Sequence, residues 1–166
     1  MRHAGAQDMP RPPLAPPSFP LPVVLDTNVV LDVLVFDDPV TRPLADALAE
    51  GALAAWADGE TLLELERVLT LSTFKLDEAE QRTAYARYQR LVHMAPAVSS
   101  TPLPELPRCR DRDDQKFLVL AARSGAAWLV SKDNRLLSLA DRHGLPFAIL
   151  SPKQAVEGLK LARGAG

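Results

Sequence analysis

Five aspartates stand where a chain of this pattern could use them for chemistry. Val23-Val24-Leu25 runs straight into Asp26, and Trp128-Leu129-Val130-Ser131-Lys132 runs into Asp133. Asp111, Asp113 and Asp114 open a third, apolar-striped stretch. Carboxylates gathered in one place repel: two charges about 5 Å apart cost roughly 3 kcal/mol at an effective dielectric of 20. Three or four of them raise one another's pKa values unless a cation sits among them. Oxygen-only donors favour a hard ion, Mg²⁺ or Mn²⁺, over zinc. Such an ion acidifies a bound water and neutralises charge on a transferring phosphoryl group. Each acid also has a plainer use. Asp26 and Asp133 can cap the turns after their strands, and Asp113 or Asp114 can complement a helix dipole.

Alternating strands and helices must position these acids. Val23–Leu25 is β-branched and uninterrupted, as a strand buried on both faces should be. A helix over about Asn28–Val35 follows. Pro43–Glu50 predicts a helix with proline near its start and Gly51 just past its end. Ala54-Ala55-Trp56 reads as a short strand, and Asp58 as the cap of a helix to about Leu71. Asp77–Val92 is amphipathic, with Ala84, Tyr85, Tyr88, Leu91 and Val92 on one stripe. After a proline-rich connector, Pro96–Pro107, a helix runs from the acidic group to about Ser124, with Gly125 as its stop. Trp128–Val130 is a strand, Asn134–His143 a helix, Phe147–Leu150 a final strand, and Ser151-Pro152 opens a last helix. Such alternation predicts an α/β fold, a parallel sheet covered on both faces, with ligands at the carboxyl edge of the strands.

Composition narrows the function classes. The chain has 166 residues, one domain's worth. With 19 Lys+Arg against 21 Asp+Glu, it cannot hold nucleic acid by bulk charge alone. The single cysteine, Cys109, excludes an intrachain disulfide and a Cys-rich zinc site, and points to a reducing cytoplasmic location. No apolar run is long enough to span a membrane, so no membrane partner is expected. Pro10, Pro12, Pro13, Pro16, Pro17, Pro20 and Pro22 mark residues 1–22 as an extended or disordered tail. The expected folded unit is 23–158, with 159–166 a C-terminal tail.

Taken together, Val24-Leu25-Asp26-Thr27-Asn28-Val29, Leu63-Glu64-Leu65, Arg110-Asp111-Arg112-Asp113-Asp114-Gln115-Lys116-Phe117-Leu118 and Leu129-Val130-Ser131-Lys132-Asp133 resemble a PIN domain. The likeness is greatest to bacterial PIN proteins described as toxin components of toxin–antitoxin systems. The resemblance covers about Val23–Gly158, with the motifs in order. It implies a three-layer sandwich whose central, mainly parallel sheet has about four to five strands. It implies that Asp26, Glu64, Asp114 and Asp133 are the catalytic, metal-binding acids, and that Thr27 and Asn28 support Asp26 or the scissile phosphate. Asp111 and Asp113 stay open beside Asp114. Helical periodicity does not separate Glu64 from Glu66; only the resemblance picks Glu64. Gln115 departs from the pattern, because many relatives carry another acid there.

The implied activity is hydrolysis of RNA phosphodiester bonds with Mg²⁺ or Mn²⁺, by the toxin of a pair whose antitoxin protein holds it inactive. A homodimer is implied on the same ground. Arg110, Arg112, Lys116, Lys132 and Arg135 flank the acids and could hold RNA phosphates, or could pair with the acids themselves. Two other readings compete. One is a catalytically weak PIN module acting as an RNA-binding or assembly platform. The other is a haloacid-dehalogenase-type phosphohydrolase, which also opens with an aspartate after a strand. That mechanism wants a second aspartate two residues on as proton donor, and here Asn28 stands in its place.

Overall fold

The computed structural model describes residues 19–96, 102–109 and 111–164. Most of the 1–22 tail, part of the connector and Arg110 lie outside the described residues. Five parallel strands form the centre: β1 (Leu21–Leu25), β2 (Leu53–Ala57), β3 (His93–Met94), β4 (Trp128–Val130) and β5 (Ala148–Leu150). Their order in the sheet is β3-β2-β1-β4-β5. The helices are α1 (Thr27–Leu34), α2 (Arg42–Glu50), α3 (Gly59–Leu69), α4 (Glu78–Leu91), α5 (Arg112–Ser124), α6 (Asn134–Leu137) and α7 (Pro152–Gly164).

Alternation along β1 builds both halves of the core. Val23 and Leu25 face a cluster made with α1 to α4 and α7, including Leu31, Leu44, Leu65, Tyr88 and Leu159. Val24 faces the opposite way, onto Phe117, Leu118 and Leu120 of α5 with Leu136 and Ile149. Leu129 and Val130 of β4 divide between the two faces in the same manner. A central parallel strand buried on both sides must be apolar at every position, as the β1 sequence is. The result is the expected three-layer α/β sandwich.

Local chemistry sets the ends of the helices. Asp58 accepts from the amide of Thr61 at 2.8 Å while the Thr61 hydroxyl accepts from the amide of Asp58 at 3.1 Å, a reciprocal cap on α3. Asp77 and Glu80 close the same box on α4. Gly51 and Gly125 end α2 and α5 at φ of 83° and 69°, where a side chain would be strained.

Three expectations on boundaries are corrected. Strand β1 starts at Leu21 and includes Pro22, so the folded unit begins before Val23. Proline is tolerated there as the strand enters the sheet. The C-terminal residues are no tail up to Gly164: α7 continues past Gly158, because Leu159 extends the buried stripe of Ala155 and Val156. The helix expected over Asn134–His143 stops at Leu137 and gives way to turns ending at Gly144, φ 82°. Strand β3 and a 3₁₀ turn at Ser72–Phe74 are additional elements.

Candidate functional site

In this sheet the chain runs outward from β1 to β2 and β3, then returns to lay β4 on the other side of β1. The break in direction falls between β1 and β4, paired through Leu25 and Val130. Loops leaving the carboxyl ends of two such strands diverge and leave a crevice, the usual place for a ligand in an open α/β sheet.

Asp26 sits in that crevice. Its amide donates to the carbonyl of Val130 at 3.0 Å, tying it to β4. Its Oδ1 caps α1 by accepting from the amide of Val29 at 3.1 Å, and its Oδ2 accepts from the hydroxyl of Ser131. Only 5% of the residue is exposed. Burial pushes its pKa up, while the Ser131 and Val29 hydrogen bonds pull it back and the nearby Asp133 charge adds to the rise.

The Ser131 hydroxyl also accepts from the amide of Asp133 at 2.9 Å. One buried side chain therefore fixes the separation of the two strand-end aspartates. Asp133 caps α6, accepting from the amide of Arg135 at 2.8 Å, and that bond holds its carboxyl below the usual range.

Asp114, in the first turn of α5, completes the group. Burial first, then a hydrogen bond with Asp133 and the charges of Asp133, Asp111 and Asp26, push its pKa up to about 7. Its Oδ2 is buried and has no hydrogen-bond partner, which is costly for a carboxylate oxygen unless something else occupies it. Asp113 is exposed and turned to the outside. Asp111 caps α5, accepting from the amide of Asp113 at 2.9 Å and from Arg135 Nη1 at 2.6 Å.

The capping reading of Asp26 and Asp133 holds. Asp26, Asp111 and Asp133 are all N-caps, so the positive ends of three helices meet where the negative charge is concentrated. That offsets part of the repulsion and lets the acids share a site.

Glu64 has partners of its own. It projects from α3 and accepts from the Thr27 hydroxyl with Oε2 and from Lys116 Nζ at 2.5 Å with Oε1. Thr27 thus supports Glu64, while Asn28 is exposed in the first turn of α1. The flanking cations are drawn inward as well: Lys132 pairs with the buried Asp32 at 2.6 Å, and Arg135 with Asp111. Arg112 is exposed and lines a groove of about 350 Å³ beside α5, shared with Lys116 and Arg123.

The donor chemistry suits a hard divalent ion: oxygen donors from Asp26, Asp114 and Asp133, with one of the Asp114 oxygens buried and unsatisfied. Among the described residues, no three carboxylates already converge as a ready ion cage. Ion and proton are alternative ways to quench the same repulsion.

Three residues of the site carry no mark in local spacing. Ser131 acts only once β1 and β4 are paired, although a lone hydroxyl on a buried strand end before Asp133 is the available clue. Asp32 lies on the mostly buried α1, where an acid demands a partner, and finds it across the sheet edge in Lys132. Gln115 is a clasp: its Oε1 accepts from the amide of Cys109 at 2.7 Å and its Nε2 donates to the carbonyl of Pro107 at 3.1 Å.

Comparison with known proteins bears on the family and the fold. A protein of Methanocaldococcus jannaschii, named as uncharacterised protein MJ1680, is 25% identical over 146 residues, covering 81% of this chain and 89% of that protein. The crystal structure of PAE2754 from Pyrobaculum aerophilum superposes with a TM-score of 0.52 over 86% of this chain and 91% of that one, at 15% identity, a likeness of fold. A family model described as PIN domain matches residues 22–135, the stretch that supplies Asp26, Glu64, Asp114 and Asp133. The chain belongs to the PIN domain family, whose members are typically nucleases that use divalent metal ions.

Proposed function

We propose that this protein is an endoribonuclease that hydrolyses RNA phosphodiester bonds with Mg²⁺ or Mn²⁺, and that it serves as the toxin of a toxin–antitoxin pair. The proposal is carried by membership of the PIN domain family, supported by Asp26, Asp114 and Asp133 lying near enough around the β1/β4 crevice for their charges to act on one another and by an orphaned Asp114 oxygen. These three carboxylates would hold the ion. When bound, it would activate water and neutralise charge on the transferring phosphoryl oxygens.

The chain's own groups prepare the site for that role. Ser131 holds Asp26 and the start of the Asp133 turn in register through one hydroxyl. The Asp32 carboxylate places the Lys132 ammonium beside Asp26, where it lowers the Asp26 pKa and offers positive charge at the mouth of the crevice. Arg112, exposed at the start of α5, would offer positive charge to an RNA phosphate. Without a cation the acids repel phosphate, so the metal-free protein should bind RNA weakly.

The test is cleavage of single-stranded RNA by purified protein with Mg²⁺ or Mn²⁺. Activity that stops with EDTA and is lost in Asp26→Asn supports the proposal; undiminished cleavage by that variant overturns it. A second reading is a PIN module that binds RNA or protein without cutting. The pairing of Lys116, Lys132 and Arg135 with acids favours it, and it predicts binding with no turnover in any divalent ion. An antitoxin partner, a homodimer and a cytoplasmic location belong to the toxin proposal. A small neighbouring reading frame whose product co-purifies with this chain and blocks cleavage would support the pairing. Among the described residues, no helix is long and apolar enough to cross a membrane.

A further inference from the structure

A groove of about 310 Å³ opens where three helices end together: Val33 and Leu34 of α1, Leu48 and Ala49 of α2, and Arg90 and Leu91 of α4. Its floor is apolar. Arg87 stands beside it, with Nη1 donating at 3.4 Å to the carbonyl of Leu34. Arg87 and Arg90 are both exposed, and among the described residues neither pairs with a carboxylate. Arginine carries five N–H donors and no acceptor. The groove therefore fits an occupant that is apolar and rich in unpaired acceptors.

The chain enters the sheet at the same edge. Helices α2 and α4 lead into the amino ends of the parallel strands β2 and β3. The amide of Leu21, the first residue of β1, donates to the carbonyl of Ala52 at 2.9 Å. Ala52 is three residues beyond Ala49, at most about 11 Å of chain. Residues 1–18 precede this point and lie outside the described residues. Within them Pro12-Pro13-Leu14-Ala15-Pro16-Pro17 is uncharged, and its prolines have no amide hydrogen. As a polyproline II helix, such a segment makes no internal hydrogen bonds and leaves every carbonyl open. At about 3.1 Å per residue, the chain from Pro12 to Leu21 reaches roughly 28 Å, enough to lay this segment across the groove.

We propose that Pro12–Pro17 docks in this groove of its own molecule. Its prolines and Leu14 cover the apolar floor, and its carbonyls accept from Arg87 and Arg90, the pairing by which proline-rich segments are held elsewhere on apolar grooves. A short tether gives the segment an effective concentration in the mM range, so it fills the groove ahead of a second copy in dilute solution.

Photo-crosslinking of the full chain, with benzoylphenylalanine in place of Leu14 and the adducts mapped by mass spectrometry, tests the proposal. Adducts should join residue 14 to residues 33–35, 45–49 and 87–91 of the same molecule, in a yield that does not change on dilution. Ala49→Arg, an exposed helix position that would obstruct the groove, should lower that yield by about fivefold or more. Adducts between two molecules that grow with concentration would assign the groove to a second copy and overturn the proposal. Adducts scattered over the surface, none at the groove, or a yield untouched by Ala49→Arg would overturn it as well.

Discussion

Ser131 donates to Asp26, accepts from the amide of Asp133, and is fully buried while doing so. Ser131→Ala strands both partners, and a buried polar group left unpaired costs about 1–3 kcal/mol. The variant should melt lower by several degrees in calorimetry and bind Mn²⁺ about 10–100-fold more weakly, as expected when the group orienting a ligand is lost. Asp114 gives a prediction in pH. Its carboxyl, held up to about 7 against an ordinary 3.8, keeps its proton in the folded chain where the unfolded chain has released it. Between these values the folded state binds more protons, so stability falls as pH rises through about 4 to 7. Burial acts on Asp26 in the same direction, whereas the depressed Asp133 adds stability that is complete above about pH 4. Solvent screening of the partly exposed Asp114 leaves an effect on the order of 1–2 kcal/mol, or about 2–6 °C in Tm. EDTA-treated wild type should therefore melt lower at neutral pH than at mildly acid pH, and Asp114→Asn should remove much of that fall.

Among the elements, β1, β4 and the helix starts were legible because their signals are local. A run of β-branched residues ending in an aspartate reads as a strand and turn without knowledge of its neighbours. Asp58 and Gly125 likewise announce a cap and a stop through their own chemistry. What stayed hidden depends on partners distant in the chain. Strand β3 is only His93–Met94, both exposed, with its place earned by pairing to Trp56 and Ala57. The helix after Asn134 shows adequate propensity but lacks buried contacts past Leu139, so turns replace it. Resemblance named the acids, but not that Glu64 would be taken by Lys116, because an ion pair between α3 and α5 has no trace in either helix alone. Gln115 likewise explains its departure from the family pattern only in three dimensions, as a clasp on the connector. Gln115→Glu keeps an acceptor for the Cys109 amide but sets a carboxylate against the Pro107 carbonyl. It should cost about 1–3 kcal/mol by chemical denaturation and should speed proteolysis of the connector.

For the whole molecule, the sheet order makes the crevice and the three caps fill it with negative charge. Stability and the proposed function therefore pull in opposite directions at one place, and a bound ion would reconcile them. An ion that binds the folded chain alone stabilises it by mass action, by about 2.7 kcal/mol at a hundredfold excess over its dissociation constant. Mn²⁺ should thus raise Tm, EDTA should reverse the rise, and Asp26→Asn should abolish it. The most direct test of the three-aspartate site is anomalous diffraction at the manganese edge from Mn²⁺-soaked crystals. A peak within coordination distance of Asp26, Asp114 and Asp133 is the predicted result. Density at another surface, or none at a concentration that supports RNA cleavage, would contradict it.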